Sequence, residues 1–197
     1  MALSPIIIII AAYLLGSISS AVLISRIFSL NDPRKEGSKN PGATNVYRLG
    51  GAVPAALVLL CDVLKGALPV LLGLELGFQS LAIAAIGVSA CLGHMYPAFF
   101  HFVGGKGVAT ALGVLLPLSL TLCLALIITW TVVLKLRGYS SLAALVTVVS
   151  APFYCYLFAP EHLSTVILLC ALVFWRHHSN IERLRNHTES SIVKKRD

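Results

Sequence analysis

Residues 108–134 read VATALGVLLPLSLTLCLALIITWTVVL, about 27 positions without a charge. As one helix rising 1.5 Å per residue the stretch would be roughly 40 Å long. A bilayer core is about 30 Å thick, and about 20 apolar residues cross it. Pro117 stands near the middle, and proline, lacking a backbone N–H, commonly marks a helix break. The stretch is therefore either one strongly tilted span or two spans that turn near residues 117–121.

The charges on either side decide between these. If the stretch crosses once, Lys135, Arg137, Arg176, Arg183, Arg185, Lys194, Lys195 and Arg196 lie opposite the first basic loop. If it turns back, they share one side with Arg26, Arg34, Lys35, Lys39, Arg48 and Lys106, and the loops of the other side carry only Glu75 and Glu161. Positive residues collect on the cytoplasmic side of membrane proteins, which favours the turn.

Working outward, further spans fall at residues 5–28, 53–74, 79–96, 141–158 and 163–175. The first does not read as a signal peptide, because no basic residue precedes its long apolar run. The expected architecture is an all-α polytopic membrane protein with seven transmembrane helices. The N-terminus is outside, the C-terminus is cytoplasmic, and the Gly-rich and polar loops lie on the cytoplasmic side. The fourth helix, about 108–116, is too short to span alone and draws the Gly-rich segment before it into the membrane. Residues 1–197 are read as a single domain without an internal repeat.

Composition agrees. Of 197 residues, 57% are hydrophobic and 12% charged, against about 25% charged in an average soluble domain. So few charges cannot cover a soluble globule, and a disordered chain, a coiled coil or a disulfide scaffold fits no better. The net charge of +7 sits in islands between apolar runs. That pattern points to membrane orientation and an anionic substrate, with no nucleic acid partner. Cys61, Cys91, Cys123, Cys155 and Cys170 lie in apolar runs without a CxxC pair, so they read as packing residues and no metal site is expected.

Three polar islands carry the candidate chemistry. In the first, GSKNPGATNVYR at 37–48, Gly and Pro fix a tight path. Ser38, Asn40, Thr44 and Asn45 offer neutral hydrogen-bonding groups, and Arg48 a planar cation suited to phosphate oxygens. The same segment also reads as a solvated turn and helix cap. In the second, Gly104, Gly105, Lys106 and Gly107 run into a helix that begins at Val108. Backbone N–H groups and the helix dipole favour an anion there, although the pattern is not a Walker A loop. Tyr96, Phe99, Phe100 and Phe102 read as interfacial anchors, and His94 and His101 as interfacial or packing residues.

In the third island, RHHSNIERL at 176–184, His177 and Asn180 share a face if the helix continues. Ser141 heads the sixth span as a cap or a ligand hydroxyl. Asp62 and Lys65, at i and i+3 inside the second span, form either an ion pair that fixes packing or part of a functional site.

Together these segments resemble the bacterial acyl-phosphate:glycerol-3-phosphate acyltransferase family, the PlsY type. GSKNPGATNVYR at 37–48, GHMYP at 93–97, GGKGVAT at 104–110 and the 176–184 segment carry the match, with YLLGS at 13–17 and DVLKG at 62–66. In the tail, His187 stands two residues before Glu189, where many members carry glycine, so Glu189 is left out of the expected site.

The resemblance implies seven membrane helices in the bacterial inner membrane. It implies acyl transfer from acyl phosphate to the 1-position hydroxyl of glycerol 3-phosphate, giving lysophosphatidic acid and phosphate. This is the first acylation step of phospholipid synthesis. It further implies no cofactor, contact with membrane lipids, and functional coupling to the enzyme that makes acyl phosphate.

The inventory suits that chemistry. Five positions after the histidines come Phe99, Lys106, Ile167, Glu182, Arg183 and Ile192, so the soluble His-x4-Asp acyltransferase motif is absent. No Gly-x-Ser-x-Gly elbow is present either, and no covalent nucleophile is expected. Ser38, Arg48, Lys106, His177 and Asn180 are expected to hold glycerol 3-phosphate, with Ser141 nearby. The backbone from Gly104 to Val108 is expected to hold acyl phosphate. The alternative is an organic-phosphate membrane transporter, which also needs buried cations and broken helices.

Overall fold

The computed structural model describes residues 4–192, among which all regular structure is helical. Of the basic tail residues that set the expected sidedness, Lys194, Lys195 and Arg196 lie outside the described residues.

 The chain separates into two compact units, Met1–Leu118 and Ser119–Asp197.

The first unit holds α1 (Pro5–Gly16), α2 (Ser20–Ile27), α3 (Ala43–Gly50), α4 (Ala52–Glu75), α5 (Ser80–Met95) and α6 (Val108–Leu115). The long helix α4 is its hub and packs against each of the other five. Its contact with α6 is close because small residues face each other. A Cβ on Gly66 would lie 2.2 Å from the Thr110 carbonyl oxygen, and one on Gly113 would lie 2.0 Å from that of Val63. Small residues at such crossings let backbones approach, which is how helices associate where lipid removes the hydrophobic drive. Ala21, Ile24, Val46 and Val58 form a core that joins α2, α3 and α4.

The first expected span, 5–28, is interrupted between Gly16 and Ser20. Serines stand at 17, 19 and 20, and serine is a weaker helix former than the leucines before them. The opened backbone finds a partner on α4, where the Lys65 ammonium donates to the Ile18 carbonyl at 3.1 Å. Non-helical backbone at membrane depth requires such partners.

Residues 108–134 break as the proline suggests. Helix α6 ends at Leu115, and α7 (Leu120–Arg137) starts beyond Pro117. Ser119 caps the new helix, its hydroxyl accepting from the Leu122 N–H at 3.2 Å.

The second unit contains α7, α8 (Ser140–Phe158), α9 (Leu163–Arg176) and α10 (His178–Arg185). Helix α8 packs against both α7 and α9. Gly138, left-handed at φ 75°, closes α7 and allows the turn into α8. The helix expected to run through 176–184 is interrupted at His177.

Among the described residues, five stretches are long and apolar enough to cross a membrane: Pro5–Ile27, Ala52–Glu75, Ser80–Phe100, Leu120–Arg137 and Ser140–Phe158. Helices α6 and α9 have 8 and 14 residues. At about 12 and 21 Å they fall short of a bilayer core. On α4, Leu60, Leu64, Leu68 and Leu71 form an exposed row of large apolar side chains, the surface expected to meet lipid.

Candidate active site

In the first unit, the segment before α3 is shaped by Asn45. Its Oδ1 accepts from the Ser38 N–H at 2.9 Å, and its Nδ2 donates to the carbonyls of Pro33 at 2.9 Å and Glu36 at 3.0 Å. Both amide hydrogens thus serve the loop, so the buried Asn45 side chain holds the path of residues 33–38. Gly37 is left-handed at φ 62°, and a Cβ there would sit 2.2 Å from the Asn45 oxygen. Ser38, Asn40, Thr44 and Arg48 are each partly exposed around this scaffold. Arg48 lies in the last turn of α3.

Arg34 ties this segment to the second island. Its guanidinium grips Asp32, with Nη2 2.7 Å from Oδ2, and its Nη1 reaches the Phe100 carbonyl at 3.4 Å. The hydrogen bond from Arg34 holds the Asp32 carboxyl below the usual carboxylate range. The same bond raises Arg34 above its ordinary value.

The Gly-rich segment lies directly against the end of α5. The Gly105 N–H donates to the His94 carbonyl at 3.1 Å. A Cβ on Gly105 would meet His94 Nε2 at 2.2 Å, and one on Gly107, left-handed at φ 82°, would meet Met95 Cε at 2.5 Å. Only glycine fits between this loop and α5. Lys106, partly buried, sits between these glycines, immediately before the first turn of α6. An anion at this place would meet the open N–H groups of a helix start and a lysine charge together.

Of the two readings of His94, interfacial or packing, the second holds. It is buried, with Nδ1 3.4 Å from Asp62 Oδ1. The same carboxylate oxygen takes the Lys65 ammonium at 2.8 Å and the Ser20 hydroxyl. Charge within a span pointed to Asp62 and Lys65, but His94 gave no local signal, because its partner lies on another helix. His101, by contrast, is exposed.

In the second unit, Glu189 gathers the polar groups. Its Oε1 accepts from the Ser141 hydroxyl and the Asn180 Nδ2, both at 2.7 Å, and its Oε2 accepts from Arg183 Nε at 2.7 Å. Burial alone would raise this carboxyl, but the hydrogen bonds from Ser141, Arg183 and Asn180 outweigh it and hold Glu189 below its ordinary value.

The tail reaches this place through a turn at His187, which is left-handed at φ 56°. That conformation favours glycine, the residue many members of the resembled family carry there. Histidine adopts it here, and the tail still returns. Ile192 donates its N–H to the Gly138 carbonyl at 2.8 Å. Setting Glu189 aside on sequence grounds therefore missed an organising residue, and it missed Arg183 with it.

Ser141 is not the cap of α8, since Tyr139 precedes the helix in that position. His177 is buried at the kink between α9 and α10, with Nδ1 2.7 Å from the Val173 carbonyl. A carbonyl can only accept, so Nδ1 carries the hydrogen in this bond. Asn180 is also buried, and its Oδ1 has no hydrogen-bond partner among the described residues.

Comparison with known proteins gives a consistent result. A family model described as glycerol-3-phosphate acyltransferase matches residues 6–187. The glycerol-3-phosphate acyltransferase of Vibrio campbellii is 56% identical over 186 residues, covering 94% of this chain and 92% of that protein. That of Colwellia psychrerythraea is 57% identical over 187 residues, with 95% of each chain covered. The fold is similar to the crystal structure of PlsY, an integral membrane glycerol 3-phosphate acyltransferase, in its glycerol 3-phosphate form. The TM-score is 0.89 at 37% identity, covering 95% of this chain and 94% of that one. The lysophosphatidic acid form gives a TM-score of 0.87 at 36% identity, with the same coverage.

Proposed function

Because the chain belongs to the glycerol-3-phosphate acyltransferase family and is an integral membrane protein, we propose that it acylates glycerol 3-phosphate using acyl phosphate as donor. The 1-position hydroxyl oxygen attacks the acyl carbon, and the bond from that carbon to the phosphate oxygen breaks. The acyl group ends on glycerol 3-phosphate as lysophosphatidic acid. Inorganic phosphate leaves, and a phosphate oxygen of the substrates takes the hydroxyl proton.

An acyl phosphate is already activated, so positioning and charge neutralisation supply most of the rate. The backbone of Gly104, Gly105, Gly107 and Val108 holds the donor phosphate. Ser38, Asn40, Thr44, Arg48, Lys106 and His177 bind glycerol 3-phosphate, while Asn45 keeps the loop around Ser38 in place. Asn180 Oδ1, buried and without a hydrogen-bond partner among the described residues, is suited to accept from a substrate hydroxyl, with Glu189, itself held by Ser141, fixing its amide.

The observation that carries this reading is the glycine loop clamped on His94 with Lys106 at the start of α6, in a chain 37% identical to a structure described in a glycerol 3-phosphate form. A phosphate carrier also needs such a loop, but the family match speaks for acyl transfer. We further infer seven crossings in the bacterial inner membrane, with α6 and α9 as the short ones and the N-terminus outside. The domain is one, 1–197, coupled in function to the enzyme that supplies acyl phosphate. The test is to incubate purified protein with acyl phosphate and glycerol 3-phosphate. Phosphate release that requires both substrates is expected, and release that ignores glycerol 3-phosphate would overturn the reading.

A further inference from the structure

The buried polar cluster of the first unit is more than an ion pair. Asp62 Oδ1 is the common acceptor for Lys65 at 2.8 Å and the Ser20 hydroxyl, with His94 Nδ1 at 3.4 Å. Asp62 and His94 are both buried, so neither exchanges these neighbours for water. The opposite edge of the His94 ring, at Nε2, lies under Gly105 so closely that a single added methyl would collide at 2.2 Å. The His94 carbonyl binds the Gly105 N–H at 3.1 Å, and a Cβ on Gly104 would lie 2.1 Å from that same oxygen. Backbone and ring of one residue thus form the floor of the loop that bears Lys106.

A ring in that place must not rotate, because any swing moves the loop above it. Asp62 Oδ1 stands 3.4 Å from its far edge, and Lys65 binds the same oxygen while it also binds the opened backbone at Ile18. We propose that Asp62 is a positioning residue for the 104–107 loop, acting through the imidazole of His94. The proposal rests on the reading that this loop holds a substrate phosphate. Loss of Asp62 frees the ring to turn, the loop to shift and the phosphate to be held less well. Misplacement of about 1 Å lowers rates by up to about a hundredfold.

The test uses the full chain purified in detergent. Asp62→Asn removes the charge, and Asp62→Asn with Lys65→Met removes both partners so that no lone buried charge remains. Amide hydrogen exchange at residues 104–107 is expected to speed up by about tenfold or more in both variants, with α7 and α8 unchanged. The KM for acyl phosphate and, because Lys106 rides on the same loop, that for glycerol 3-phosphate are both expected to rise by about tenfold. His94→Phe is expected to match Asp62→Asn, and the two combined to be no worse than His94→Phe alone.

Unchanged exchange at 104–107 in both Asp62 variants would overturn the proposal. So would a fall in apparent kcat with both KM values unchanged and exchange raised throughout the first unit, since that is the mark of a merely structural pair. If the wild-type protein does not use acyl phosphate, the functional reading fails, and the exchange measurement still decides the positioning role.

Discussion

Lys106 carries the most direct expectation for a single side chain, because it is a cation on a loop that glycine alone can build. Lys106→Ala is expected to lower turnover by about a hundredfold or more while the protein still inserts and unfolds at its usual temperature. Kinetics like those of the wild type would remove Lys106 from the site. Glu189 gives a prediction in pH. Its folded pKa lies below the ordinary value, so its stabilisation is complete at neutral pH and is lost as pH falls through the folded pKa. Glu189→Gln is therefore expected to cost about 1–3 kcal/mol at pH 7, read as a lowered Tm in detergent. The gap to wild type should close in acid, and a gap that does not change with pH would show that the carboxylate charge is not involved. Ser38, Arg48 and Lys106 were conspicuous in the sequence as candidates because their residue types and spacing suit phosphate chemistry. Glu189 was not, because its partner Ser141 is 48 positions away and only the return of the tail joins them.

Helices are where the sequence was read best, and where its blind spot also lies. Pro117 marks the end of α6 by a local rule, and the break falls beside it. The interruption after Gly16 obeys no local rule strongly, since its apolar run is long. It depends on α4 offering Lys65 to Ile18 and Asp62 to Ser20. The kink at His177 was missed in the same way: a helical face was read across it from periodicity alone. The α4–α6 contact yields a test. Gly113→Ala would place a methyl 2.0 Å from the Val63 carbonyl oxygen, which belongs to rigid backbone. The helices must separate, at a cost of about 1–3 kcal/mol, seen as a lower Tm. An unchanged Tm would mean that the two helices do not pack as closely as described.

For the whole molecule, sidedness follows from where the basic residues fall. In a cysteine-free background, single cysteines at positions 75 and 161 are expected to label from outside, and those at 35 and 137 only after the membrane is opened. Outside labelling at 137 would contradict the two-span reading of 108–134. Removal of Cys61, Cys91, Cys123, Cys155 and Cys170 is expected to leave most of the activity, because a thiolate in an apolar run is costly to form. The central claim, direct transfer between two bound substrates, is tested most directly by initial rates measured over a grid of acyl phosphate and glycerol 3-phosphate concentrations. Direct transfer predicts double-reciprocal lines that intersect. Parallel lines, the pattern of an acyl-enzyme formed and discharged in turn, would contradict it.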